Sequence, residues 1–272
     1  MPELPEVETI ARQLAPALVG RRVLGLAIGD PLLRGGSGST PAVRGRRVSD
    51  VRRSGKRVLI EMGPRPRGGG PLWLAVHLRM TGRLLWQEAG SETRPERARA
   101  RMRLDRGSLW FTDTRRLGTF EWCRTVEAAE PDGVDPVTPG FTPERLTVLL
   151  GSSPQPLKTW LLRQDRIVGL GNIYASEILH AARLSPVRPA GSLDRGEVRR
   201  LHRSTRRILE RAIRNCGTTF SDFQDSRGEI GSFQRYLAVY DRAGRCCRRC
   251  RVPIERIVQQ QRSTFYCPSC QS

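Results

Sequence analysis

Four cysteines near the end of the chain carry the plainest chemistry. Cys247 and Cys250 have two residues between them, as do Cys267 and Cys270, and 16 residues separate the pairs. This is the spacing of a four-cysteine zinc ribbon or finger, in which two tight turns present thiolates tetrahedrally. Four protein ligands leave no open coordination position, so the expected Zn2+ is structural. Cys246 adjoins a ligand, but the two-residue spacing favours Cys247. Cys123 and Cys216 read as small hydrophobes that pack. No charged-then-apolar stretch opens the sequence, so a cytoplasmic location is expected, and there seven cysteines argue against a disulfide framework.

The chain of 272 residues holds 47 Lys plus Arg against 27 Asp plus Glu, a net charge of +20 and a pI near 11.2. Phosphate contacts release counterions and supply affinity without regard to sequence, so an excess this large points to nucleic acid. The plainer alternative is a solvated basic surface. Only Lys56 and Lys158 are lysines. A compact ammonium and a planar guanidinium are not interchangeable at a tight site, so both lysines become candidates for phosphate or catalytic contacts. Gly169-Leu170-Gly171-Asn172 leads into a helix-like segment, with Asn172 as the expected N-cap and the helix start as an anion site. Between the cysteine pairs, Gln259 to Phe265 reads as a polar hairpin that could grip a phosphate through Arg262.

These groups need elements to hold them. The opening MPELPEVET runs into an amphipathic helix, with Pro5 in its first turn and Val7, Ile10 and Leu14 at helical spacing. From residue 21 to 124 short β-like runs follow, at 22–28, 57–62, 73–78, 102–104, 109–112 and 119–123, the pattern of a β-sandwich or barrel. Helical periodicity takes over after a Pro/Asp/Gly-rich stretch at 130–136. Thr142 caps one helix; Ser192 is the expected cap of a longer one that Gly217 ends. No internal repeat appears. The longest apolar runs, such as 71–76, are far too short to span a bilayer.

MPELPEVET, His77–Gly82, Asp113–Arg116, Gly169–Glu177 and the four-cysteine finger occur in that order. Together they resemble the bacterial formamidopyrimidine-DNA glycosylase family, the 8-oxoguanine repair enzymes related to endonuclease VIII, over essentially the whole chain. The resemblance implies an α+β protein of two domains. An N-terminal β-sandwich with its helix spans 1–126 and a linker 127–141. A helical domain with a helix–two-turns–helix motif spans 142–235, and a β-hairpin zinc finger 236–272. The implied partner is damaged double-stranded DNA, with no membrane and a monomeric enzyme.

The same resemblance assigns roles. With Met1 removed, the secondary amine of Pro2 attacks C1′ of the damaged nucleotide. Glu3 is its general acid/base, and Glu6 orients the site; read without the resemblance, both glutamates are favourable charge at a helix start. Free α-amines have pKa values near 8, so far more of one is unprotonated at neutral pH than of a lysine. The resulting iminium is an electron sink for elimination of both phosphates. Met80, Arg115 and Leu117 match the residues that fill the gap left by a flipped base. Leu117 stands where Phe is usual. Lys56, Asn172 and Arg262 match phosphate contacts, and Lys158 a lysine tied to processing of the damaged base. His77 belongs to the DNA-binding set, and for His77, Met80 and Leu117 alike core packing is the alternative. Gly217-Thr218-Thr219-Phe220-Ser221-Asp222-Phe223, then Gly228, Gly231 and Phe233-Gln234, resembles the loop over the flipped base, with Ser221 where a basic residue is frequent.

Two other functions compete. One is an oxidised-pyrimidine enzyme of endonuclease VIII type, against which Leu4 speaks by resemblance. The other is a zinc-ribbon protein that binds damaged DNA without cutting it.

Overall fold

The computed structural model describes residues 1–34, 41–65, 68–90, 93–218 and 231–272. Contacts divide the chain into two compact units, Met1–Pro131 with Asn215–Ser232, and Asp132–Arg214 with Phe233–Ser272. The linear boundaries at 126, 141 and 235 differ from this division in two ways. The described residues 215–218 and 231–232 group with the first unit, and the cysteine segment groups with the helices.

The first unit opens with helix α1 (Leu4–Leu18), whose Pro5 lies in the first turn and whose Val7, Ile10, Leu14 and Leu18 are buried. Eight strands follow: β1 (Val23–Ile28), β2 (Val48–Ser54), β3 (Arg57–Met62), β4 (Leu72–His77), β5 (Gly82–Glu88), β6 (Ala98–Leu104), β7 (Gly107–Asp113) and β8 (Thr119–Cys123). They form two antiparallel four-stranded sheets, ordered β1-β6-β7-β5 and β2-β3-β4-β8. Alternate side chains of both sheets meet in one core with α1: Val58, Ile60, Leu74 and Val76 from one, Leu84, Met102, Leu109 and Phe111 from the other. This is the packing logic of a sandwich. The opposite face of the second sheet, at Leu59, Trp73 and Ala75, packs on Ala129 of the short helix α2 (Val126–Ala129).

Strands β2 and β5 are absent from the runs read in the sequence. β2 reads Val-Ser-Asp-Val-Arg-Arg-Ser and buries only Val48, Val51 and Ser54, so its charged face hid the alternation. β5 begins at Gly82 and carries Arg83 and Gln87 among its apolar residues. β6 begins at Ala98, four residues before the apolar run that marks it.

The second unit holds α3 (Pro143–Leu150), α4 (Leu157–Leu161), α5 (Asn172–Ala182) and α6 (Arg195–Arg214), followed by the hairpin β9 (Glu255–Gln259) and β10 (Arg262–Tyr266). Thr142 caps α3 through its hydroxyl, which accepts from Arg145 N at 3.1 Å. The cap of α6 is Asp194, not Ser192: Asp194 Oδ1 accepts from Glu197 N at 2.8 Å, and Glu197 Oε2 accepts from Asp194 N at 3.0 Å. Ser192 lies in a preceding 3-10 turn and donates to Pro189 O. A reciprocal acidic box outcompetes a lone hydroxyl two residues earlier. Gly217, at φ 75, lies three residues beyond the end of α6.

Candidate functional site

One end of the first unit's sandwich gathers five of the predicted residues, Lys56, His77, Met80, Arg115 and Leu117. Gly55, at φ 55, opens the two-residue turn between β2 and β3, and Lys56 is its second residue. Glycine at the first position of such a turn matches the right-handed twist of the strands it joins. His77 closes β4 in register with Arg57 and with Thr119 of β8. Its Nδ1 accepts from Arg79 N at 3.1 Å, so Nε2 carries the proton. Burial, with Arg79, Arg57 and Lys56 close by, lowers its pKa to about 3. The ring is therefore a neutral donor at physiological pH.

Two turns leave this end. The β4–β5 turn carries Met80 and Thr81, and the β7–β8 turn carries Arg115 and Leu117. Met80 and Leu117 are exposed apolar side chains, at 39% and 44%. Arg115 is exposed as well. Both turns converge on Asp113, a buried carboxylate. Its Oδ1 accepts from the Thr81 hydroxyl and from Arg115 N at 3.2 Å. Its Oδ2 accepts from Leu117 N at 2.9 Å and Gly118 N at 2.8 Å. Arg115 N also reaches Thr81 Oγ1 at 3.0 Å, joining the turns directly. Behind them Arg116 forks onto buried Asp30 at 2.7 and 2.8 Å, and that guanidinium holds the Asp30 carboxyl below the usual carboxylate range.

The N-terminal residues are equally well fixed. Pro2, Glu3 and Glu6 are buried. Glu6 Oε2 accepts from Glu3 N at 2.8 Å, and its Oε1 accepts from Thr218 N at 2.7 Å. One carboxylate thus ties the first turn of α1 to the root of the segment after α6. Gly217 makes that approach possible, because a Cβ there would stand 2.6 Å from Glu6 Oε1. Glu8 adds an ion pair to Arg53 of β2 at 2.8 Å, holding α1 against the strand that leads to Lys56. Thr219 and Ser221 lie outside the described residues.

In the second unit a single ammonium is the centre. Lys158 is 1% exposed. Its Nζ donates to Asn172 Oδ1 at 2.6 Å, Ser263 O at 2.9 Å and Thr264 Oγ1 at 2.7 Å. Asn172 Nδ2 donates in turn to Ser263 O at 3.0 Å. Asn172 is the first residue of α5 and Gly171 its N-cap. The expected Asn172 cap is thus corrected: its Oδ1 and one Nδ2 hydrogen go to Lys158 and β10. Arg262, exposed, begins β10 next to this cluster. Gln260 and Gln261, both at positive φ, make the hairpin's turn.

The four sulfurs of Cys247, Cys250, Cys267 and Cys270 lie within 4.8 Å of one another. Zn–S bonds of about 2.3 Å in a tetrahedron put sulfurs about 3.8 Å apart, so the set fits one zinc ion. Cys250 and Cys267 stand at 3.4 Å, and Cys247 and Cys270 at 4.0 Å. Cys246 is exposed and outside the cluster. Cys216 is exposed too, at positive φ, which corrects its reading as a packed hydrophobe. Helix α5 anchors this finger. Glu177 Oε1 and Oε2 accept from the backbone N–H groups of Ala238, Val239 and Tyr240 at 2.8 to 2.9 Å. Burial pushes the Glu177 carboxyl above its ordinary range, opposed by those three donors. His180 Nε2 lies 3.5 Å from Cys247 Sγ.

Several of these anchors had no assigned role in the sequence. Asp113 and Thr81 fall inside recognised motifs, and an aspartate that ends a strand two residues before an Arg is an Asx-turn signal. Glu177 closes the glycine–asparagine motif. Nothing local marks Thr264, His180 or the pairing of Glu6 with Thr218.

Comparison with known proteins supplies independent findings. Residues 1–120 match the formamidopyrimidine-DNA glycosylase N-terminal domain, 133–224 the formamidopyrimidine-DNA glycosylase H2TH domain, and 247–272 the zinc finger found in FPG and IleRS. The formamidopyrimidine-DNA glycosylase of Chloroflexus aurantiacus is 41% identical, with 100% of this chain and 98% of the relative covered. The MUTM (FPG) protein of Thermus thermophilus is 37% identical, with a TM-score of 0.87 over 99% of this chain and 98% of the other. The FPG of Lactococcus lactis is 29% identical, with a TM-score of 0.88 over the full length of both chains. A mutant of it has been solved with Fapy-dG containing DNA, and the wild type with DNA containing an oxidized pyrimidine.

Proposed function

The chain belongs to the formamidopyrimidine-DNA glycosylase family, and from that membership we propose that it is a base-excision repair enzyme that removes oxidised purines and then cleaves the abasic strand. The observation that carries this reading is the Glu6 bridge. It fixes the first turn of α1, where the reacting groups stand, to the root of the segment assigned to the damaged base.

Pro2 is the nucleophile. While Met1 precedes it, its nitrogen is an amide and inert, so the reaction requires removal of Met1. The freed secondary amine attacks C1′ and its proton passes to the departing base as the N-glycosidic bond breaks, and Glu3 protonates the ring oxygen as the sugar opens. The product is an iminium, which acidifies C2′. Loss of the C2′ proton expels the 3′ phosphate, and loss of the C4′ proton expels the 5′ phosphate. Water then hydrolyses the iminium and frees Pro2. Lys56 and neutral His77 contact phosphates from the sandwich, as Asn172 and Arg262 do from the second unit. Met80, Arg115 and Leu117 occupy the vacated base step. Thr218, Thr219 and Ser221 serve the flipped base. Lys158 acts through Asn172 and β10, because its ammonium hydrogens are directed to protein acceptors. Zinc, bound by the four cysteines, fixes the hairpin and takes no part in the reaction.

We take the enzyme to act as a monomer in the cytoplasm. Among the described residues, no helix is long and apolar enough to cross a membrane. A second reading, oxidised pyrimidines as substrates, is favoured by the Lactococcus relative's complex with such DNA. Borohydride trapping separates the possibilities. A chain shown by mass to begin at Pro2 should form a covalent adduct with duplex DNA carrying 8-oxoguanine, and more slowly with dihydrothymine. No adduct with either refutes the catalytic reading; the reverse order of rates selects the pyrimidine one.

A further inference from the structure

Helix α6 reads RGEVRRLHRSTRRILERAIR, with eight arginines against two glutamates. Its apolar residues Val198, Leu201, Leu209 and Ala212 are buried on one side. Arg195, Arg199, Arg203, Arg207 and Arg211 recur every four residues along the other, and all five are exposed. At 1.5 Å per residue this row is about 24 Å long, with a guanidinium about every 6 Å. Like charges four residues apart destabilise a helix. This helix carries four such pairs in succession.

Among the described residues, few carboxylates stand beside the row. Among the described residues of α6, Arg200 meets Glu197 at 3.6 Å and Arg206 meets Glu210 at 3.3 Å. Glu144 of α3 stands beside Arg195 and Arg199, and Arg211 stacks on the Tyr236 ring at 4.1 Å. Arg203 and Arg207, with Arg200, Ser204 and Ala181, line an open groove of ≈ 440 Å³. The middle of the row lies beside a different face of α5 from the one that meets the cysteine cluster. Along α5, Asn172 and His180 meet Ser263 and Cys247, whereas Ala181 lines the arginine groove and Ala182 O accepts from Arg200 Nε at 3.4 Å. Helices α5 and α6 pack together, and Arg203 and Arg207 lie exposed along the edge of their contact.

We propose that this row is a second contact for duplex DNA, which binds the phosphates of a separate undamaged segment while the lesion-bearing segment is engaged. The proposal rests on the reading of the chain as a DNA enzyme. Its ligand follows from charge: a duplex presents one negative charge per about 1.7 Å of axis, a dense track for a row of forked donors.

The test uses the full-length zinc-loaded protein and the triple variant R199Q/R203Q/R207Q. Each is first saturated with a short duplex bearing an uncleavable abasic analogue. A labelled undamaged 30-bp duplex is then titrated over a salt series. Wild type is expected to bind this second duplex, and the variant to bind it about tenfold more weakly, with the log K against log salt slope shallower by about 2.7, at 0.9 per lost phosphate contact. Single-turnover excision from a saturating short lesion duplex should stay within about twofold of wild type in the variant. Absence of second-duplex binding by the saturated wild type, or an unchanged slope in the variant, overturns the proposal. Excision is read separately: its absence in the wild type strikes the enzymatic reading, while second-duplex binding still decides this one.

Discussion

The two units hold their proposed DNA-facing parts with hubs of opposite sign. In the first, the Asp113 carboxylate collects backbone N–H groups from one turn and a hydroxyl from another. In the second, the Lys158 ammonium gives its hydrogens to a side-chain amide, a hydroxyl and a carbonyl. An acceptor hub grips the main chain and leaves the side chains of its turn free to vary. Leu117 can therefore replace an aromatic residue while its N–H still bonds Asp113. A donor hub grips named side chains, so Asn172 and Thr264 cannot change without leaving a buried charge short of partners.

Breaking the metal site should have the largest effect. The finger's own core is small, Val239, Cys247, Ile254, Phe265 and Cys267, and two of those five are ligands. Cys267→Ser should remove on the order of 10 kcal/mol of metal-linked folding free energy from this segment. Zinc content and proteolysis of the 236–272 segment would show it, with loss of duplex binding. Lys158→Met should come next, at about 3 kcal/mol in urea unfolding, because two acceptors and a carbonyl lose a charged donor. Lys158→Arg should not restore it, since a planar fork cannot serve three convergent acceptors. Asp113→Asn turns an acceptor into a donor facing N–H groups and should cost about 2 kcal/mol. If Asp113→Asn proves neutral while Lys158→Met does not, the contrast between the hubs stands on the ammonium alone. Leu117→Phe should be the mildest, within about 0.5 kcal/mol, with the turn's hydrogen bonds kept.

Part of the pH dependence tests the first unit, the rest coming from groups such as His180 of the second, whose pKa burial lowers to about 4. His77 has a folded pKa of about 3, below its unfolded value of 6.5, so between these the unfolded chain holds the extra proton. Its contribution is complete above pH 6.5, and stability falls as pH drops toward 3. His77→Gln should flatten that part of the curve in urea midpoints measured from pH 7 to 4.

The sequence revealed those features that depend on residue type and spacing. Four cysteines in two close pairs define a metal site wherever the chain runs between them. Lys158 stood out by rarity, although its burial did not. What stayed hidden was long-range pairing: β2, whose charged face masks its alternation, and the hubs, whose partners are distant in sequence. Asn172 is the sharpest case. Its type suits a helix cap, and only the fold shows the amide turned to Lys158 and Ser263.

The bond from Thr218 N to Glu6 spans 212 residues. On a ribosome adding about 5–20 residues per second, Glu6 waits on the order of 10–40 s for its partner to be made. A chain released early carries Pro2 and Glu3 yet has no Thr218 to hold Glu6. The order of synthesis thus delays the fixing of the first turn of α1 until helices α3 to α6 already exist.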